Sequence, residues 1–222
     1  MKRFNNFFKR IFEQLDSSKV VIIYPGRFHP AHIGHASVYK ALVQKFPYAD
    51  VFISTTAKSE PEKSPFSFEE KKAMLIAAGV PADRIVQTVN PYIAIEIVRN
   101  YDKTNTKLIF AVSEKDMVGP EARFSFKPKK DGSPSYFQPL GDVQNVTQEK
   151  IMQLDSFDKH GYIVVAPTTN FNVLGRPVKS ASEVRNVYKN SDPEQRKQII
   201  TDLYGKFDPK IYDIFNSKLN VA

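Results

Sequence analysis

The chain contains no cysteine. That excludes disulfides, thiolate zinc sites and a cysteine nucleophile, and it fits a reducing compartment, for which the cytoplasm is the expectation. No apolar run approaches the ~18 residues of a membrane-spanning helix, so none is expected. The N-terminus is basic but lacks the apolar core and small-residue cleavage site of a secretory signal. There is no internal repeat, no zinc-finger spacing, no aromatic-rich RNA-binding signature and no long Lys/Arg block. Acidic side chains are in deficit: 24 Asp and Glu against 32 Lys and Arg give a net charge of +8. Such a balance suits a protein that binds anions, nucleotides before nucleic acid, or describes an ordinary solvated surface.

What is present is enough for a core. At 222 residues and 41% hydrophobic content, one domain of moderate size with appendages is expected. Residues 1–18 stand apart as an amphipathic arm, with Phe4, Phe8, Ile11 and Leu15 at helical spacing and Lys2, Arg3, Lys9 and Arg10 as a basic face. The arm either packs on the domain's own surface or docks a protein partner or a membrane surface.

From Lys19 onward strand and helix patterns alternate. Strands are predicted at 20–24, 50–56, 84–88, 107–112 and 162–166, helices at 33–46, 68–79, 92–101 and 181–189. Near-continuous apolar runs such as Val20-Val21-Ile22-Ile23 and Leu108-Ile109-Phe110-Ala111-Val112 argue for a parallel sheet covered on both faces, an α/β doubly wound fold. Residues 19–190 are read as this domain. Between 117 and 145 the pattern fails in a Pro-, Gly-, Lys- and Ser-rich stretch, an insertion placed to fold over the active site. Residues 191–222 return to helix, with Ile199, Ile200, Leu203, Ile211, Phe215 and Leu219 at helical spacing, and are expected to pack on the domain.

Chemistry concentrates at Gly26-Arg27-Phe28-His29-Pro30-Ala31-His32-Ile33-Gly34-His35, directly after the first strand. A buried strand that breaks at a Pro-Gly turn and delivers histidines to a helix start is how a phosphate-handling loop is built. A zinc site from His29, His32 and His35 lacks a fourth ligand and the i, i+4 helical pairing. Seven of the ten positions match Gly-Arg-Phe-x-Pro-x-His-x-Gly-His, and the stretch resembles that motif of the nucleotidyltransferase superfamily. Gly-Arg-Phe is more similar to archaeal-type nicotinamide-mononucleotide adenylyltransferases than to cytidylyltransferases, which usually carry Gly-Thr-Phe-Asp. Further on, Lys179-Ser180-Ala181-Ser182-Glu183-Val184-Arg185 resembles the superfamily's Ser-x-Thr/Ser-x-x-Arg motif, with Ser182 where Thr is usual. Lys63-Ser64-Pro65-Phe66-Ser67-Phe68-Glu69-Glu70-Lys71 resembles the segment that opens the family's next helix, and Ser67 with Glu70 has capping-box spacing. Ser113-Glu114-Lys115-Asp116 is the weakest match, because the family's glycine is missing. The resemblance covers about residues 20 to 190.

The resemblance implies a Rossmann-like fold and a phosphate-bearing acceptor that attacks ATP at the α-phosphorus. It implies His32 and His35 on the triphosphate as catalytic groups, with Arg185 reaching the β- and γ-phosphates. Gly34 keeps the backbone clear of the nucleotide. Gly26, Arg27, Phe28, Ser180 and Ser182 line the nucleotide, with Phe28 equally open to a core role. Lys63, or Lys58, neutralises substrate phosphate, and Asp116 faces a ribose hydroxyl or a metal. Mg2+ accompanies the triphosphate. The partners are ATP, or CTP in a cytidylyltransferase alternative, and a phosphorylated small molecule; a homo-oligomer is compatible with the chain. A reading of another class is a non-catalytic nucleotide-binding or assembly protein docked through its arm.

Overall fold

The computed structural model describes residues 19–117, 122–124, 126–167, 169, 171–178 and 180–221. The amphipathic arm, Lys179 and part of the 117–145 stretch lie outside the described residues. Six strands form one parallel sheet in the order β3-β2-β1-β4-β6-β5. They are β1 (Lys19–Pro25), β2 (Asp50–Thr55), β3 (Ile85–Gln87), β4 (Thr106–Val112), β5 (Phe137–Asp142) and β6 (Gly161–Val165). Flanking helices complete the expected α/β, Rossmann-like fold. The chain divides into two compact units.

The first unit comprises the described residues of 1–24, 43–52 and 97–167. Here β1 pairs with β4 from Lys19↔Thr106 to Ile23↔Phe110, and β4 pairs with β6 from Leu108↔Gly161 to Val112↔Val165. Ile22, Ile23, Ile109, Phe110, Ala111, Ile163 and Val164 are wholly buried, which is why these runs lack the alternation of a half-exposed sheet. The fifth strand was not predicted: Phe137-Gln138-Pro139-Leu140-Gly141-Asp142 pairs with β6 at the sheet edge, with a register shift between Pro139 and Gly141. An edge strand tolerates Pro and a bulge, so its sequence does not read as a strand. A short helix, Gln148–Met152, follows it, capped by Thr147.

The second unit comprises residues 25–42 and 53–96 and the described part of 168–222. Here β2 pairs with β3 from Ile53↔Ile85 to Thr55↔Gln87. Helix α1 (Ile33–Lys45) follows the histidine loop, and α2 (Phe68–Ala77) opens with the predicted Ser67/Glu70 capping box. The helix predicted over 92–101 is a single turn, α3 (Ile95–Val98), preceded by Ala94 at φ 48°. Numbering the 148–152 helix α4, the C-terminal helices are α5 (Ala181–Lys189), α6 (Pro193–Tyr204) and α7 (Pro209–Leu219). Asp192 and Asp208 cap the last two, and each has Pro in its first turn. Before α5 stands an unpredicted hairpin, β7 (Phe171–Val173) and β8 (Arg176–Val178), antiparallel through a Leu174-Gly175 turn. Phe215 of α7 packs 5.3 Å from Phe66 and 5.0 Å from Tyr188. No helix among the described residues is long and apolar enough to cross a membrane.

Candidate active site

The loop after β1 folds on itself before it reaches the histidines. The Gly26 N–H donates to the Ser54 carbonyl at 3.0 Å. Phe28 takes φ 53° and turns its ring back over Gly26, so a Cβ at position 26 would lie 2.5 Å from that ring. Gly26 is required for this packing, and Phe28 is buried. The Tyr204 hydroxyl of α6 donates to the Ala31 carbonyl at 2.7 Å, immediately ahead of His32.

His32 and His35 are then fixed by their own backbone. The Gly34 N–H donates to His32 Nδ1 at 3.1 Å, and the His32 N–H donates to His35 Nδ1 at 3.2 Å. A neutral imidazole that accepts at Nδ1 carries its proton on Nε2, so these bonds assign the tautomer of both rings. The rings lie 3.9 Å apart. Phe171 lies 4.1 Å from His32, and the Phe28 edge meets His35 at 4.9 Å. Burial, reinforced by the neighbouring His35, holds the His32 pKa well below 6.5. Burial alone lowers His35 to about 4. Both are therefore neutral donors at pH 7. Gly34 fits between them: a Cβ there would sit 2.9 Å from the His32 ring and from Thr169 Oγ1, whose hydroxyl donates to the Gly34 carbonyl.

Arg185 approaches the same loop from α5. It is 8% exposed, donates through Nη1 to the His29 carbonyl and through Nη2 to Ser182 Oγ at 3.2 Å. Ser180 is the N-cap and accepts from the Glu183 N–H. The second motif thus grips the first through its backbone. His29 accepts the Phe66 N–H on Nδ1 at 3.4 Å and stacks on the Phe66 ring. Burial, then the charges of Lys71, Arg185 and the exposed Arg27, lower its pKa to about 3.

The lysines near this loop differ in their settings. Lys63 is exposed on a turn closed by two backbone bonds between Glu60 and Ser64, and Lys58 is an exposed partner of Glu60 at 3.3 Å. Lys71 is fully buried, donates to the Thr56 carbonyl, and has its pKa lowered by burial to about 8. Its signal was present in the sequence: Phe68, Lys71, Met74 and Leu75 form the buried stripe of α2, a cation at an apolar position. Phe171, Thr169 and Tyr204 were missed because no local pattern marks them. Asp116 belongs to the other unit, where its Oδ1 accepts from Arg123 at 2.8 Å and its Oδ2 from Ser113 at 2.7 Å.

Two neutral imidazole donors at a helix head, joined to a capped helix that carries an arginine, make an anion-binding arrangement. A family model described as cytidylyltransferase-like matches residues 23–125, the segment that contains the histidine loop. A probable nicotinate-nucleotide adenylyltransferase from Thermosipho melanesiensis is 26% identical over 171 residues, covering 73% of this chain and 87% of the relative. A bifunctional NMN adenylyltransferase/ADP ribose pyrophosphatase from Francisella tularensis superposes with a TM-score of 0.51 and 22% identity over 91% of this chain. The chain spans 50% of that bifunctional protein, and the likeness is one of fold. With the loop, the capped Ser-x-Ser-x-x-Arg helix and the parallel sheet in one chain, the protein is similar to the nucleotidyltransferase superfamily in both motif and fold.

Proposed function

We propose that the protein transfers AMP from ATP to a phosphorylated acceptor of the nicotinamide- or nicotinate-mononucleotide class. The observation that carries this reading is the pair of pinned, neutral imidazoles, each left with Nε2–H as its donor. An acceptor phosphate oxygen attacks the α-phosphorus of ATP, a new P–O bond forms, and the bond to the bridging oxygen breaks. Its electron pair leaves on pyrophosphate. No covalent enzyme intermediate is needed, so the protein's work is to position two anions and to meet the developing charge. The Nε2–H groups of His32 and His35 donate to triphosphate oxygens, the roles the family resemblance implies. Arg185, Ser180 and Ser182 serve the β- and γ-phosphates, while Arg27 and Lys63 supply positive charge at the rim.

Among the described residues no group of three or more His, Asp or Glu side chains is placed to hold an ion. Mg2+ would come with the nucleotide, taking phosphate oxygens and water as ligands and supplying charge neutralisation when bound. Gly26-Arg27-Phe28 and the Thermosipho relative support ATP over CTP. The cytoplasm is the proposed home.

The test is pyrophosphate release with Mg2+, using ATP and CTP separately against a panel of phosphorylated acceptors that includes both mononucleotides. Release that requires ATP and one acceptor, and that falls at least ~10²-fold in His35→Ala with the fold intact, is the expected result. Nucleotide binding without release across the panel overturns it in favour of a non-catalytic role.

A further inference from the structure

We propose that Phe171, at the start of the β7–β8 hairpin, is a positioning residue for the transfer: its ring packs on the His32 imidazole and fixes where Nε2–H points. This rests on the adenylyl-transfer reading for its consequence, but not for its geometry. His35 packs on the His32 ring at 3.9 Å, tilted by 42°, and Phe171 packs on it at 4.1 Å, tilted by 36°, while Nδ1 is held by the Gly34 N–H. With two rings packed against it and one nitrogen occupied, His32 is left with Nε2 as the polar atom through which it can act. A ring held by a single hydrogen bond would swing about its terminal torsion, which is broad and soft.

The hairpin is built to hold Phe171 there. Two strands of three residues have little stability of their own. This pair is tied at its tip, where the Leu174 N–H donates to Asp202 of α6 at 2.8 Å, and at its base, where Thr169 Oγ1 donates to the Gly34 carbonyl at 3.2 Å. Val173 and Val178 are buried beneath it. The same contact keeps water from the ring. The titratable neighbour facing His32 is His35, whereas Phe171 and Thr169 on the hairpin side carry no charge, so the low basicity of His32 traces mainly to burial. Removing the phenyl ring is therefore expected to loosen the donor and let His32 titrate closer to its ordinary range.

The experiment combines ring-labelled histidine NMR titrations with kcat and KM for ATP in wild type, Phe171→Ala, Phe171→Leu and Phe171→Tyr. In Phe171→Ala the His32 titration should rise by about one unit or more, and kcat should fall about tenfold or more with KM for ATP changed less. Phe171→Tyr should restore both, and Phe171→Leu, which keeps apolar volume without a flat face, should restore neither fully. An unmoved His32 titration in folded Phe171→Ala, or full recovery in Phe171→Leu, overturns the proposal. The titration does not depend on turnover: wild-type protein that shows the packed, low-titrating His32 but transfers no AMP refutes the proposed function alone.

Discussion

An imidazole has two nitrogens, and committing one of them decides what the other can do. In His32 and His35 the backbone takes Nδ1, so a proton arriving there would face an N–H that is already a donor. Protonation disrupts the loop and adds nothing to a ring that donates through Nε2 in its neutral form. Because the folded pKa of His35 is lowered to about 4 and that of His32 also lies well below 6.5, transferase activity should hold as pH falls through 6.5. Its acid limb should appear nearer pH 5 or below, read from a kcat profile in overlapping buffers; a limb centred on 6.5 contradicts the assignment. Gly34 tests the same geometry sterically. Gly34→Ala forces a Cβ to within 2.9 Å of the His32 ring and Thr169. We expect a loss of roughly 1–3 kcal/mol in urea denaturation, with turnover reduced more than that loss of folded protein explains. His32, Gly34 and His35 were legible because their chemistry is local. Phe171 and Tyr204 were not, since each meets the loop only through the tertiary fold.

At the scale of elements, apolar runs and caps carried the reading, and the misses share a cause. Buried strands β1 and β4 and the boxed start of α2 announce themselves locally. The edge strand β5 does not, because its Pro139 and Gly141 are tolerated only by virtue of where it pairs. The hairpin hides its turn behind Leu174, which adopts φ 51° although leucine rarely does. Helix α5 was legible as a capped helix, but a cap and a phosphate site draw on the same backbone amides. Ser180→Asp separates the two roles. Asp is as good a cap as Ser, so thermal stability should change by less than about 1 kcal/mol. A fixed carboxylate beside the triphosphate should raise KM for ATP about tenfold or more, a like-charge penalty of about 1.4 kcal/mol or more. An unchanged KM for ATP would remove the α5 N-terminus from the nucleotide site.

For the molecule as a whole, the same burial that tunes the site makes stability depend on acid. His29, His32 and His35 all have folded pKa values lowered below 6.5, His29 to about 3 and His35 to about 4. Between those values and 6.5 the unfolded chain binds more protons than the folded one, so stability is complete above pH 6.5 and is lost as pH falls toward 4. His29 and His35 each contribute on the order of a few kcal/mol across that window, at about 1.4 kcal/mol per pH unit once the unfolded form is protonated, and His32 acts in the same direction. His29 isolates the effect, since it is 4% exposed and uses Nδ1 to accept from the Phe66 N–H. His29→Asn places an amide oxygen near the Nδ1 position and removes the titration. Urea denaturation from pH 7 to 4 should therefore give the variant a shallower decline than wild type, by up to one proton in slope, whatever its offset at pH 7. Parallel declines would mean that His29 is protonated alike in the folded and unfolded chains, and that burial and the charges of Lys71, Arg185 and Arg27 do not hold it neutral.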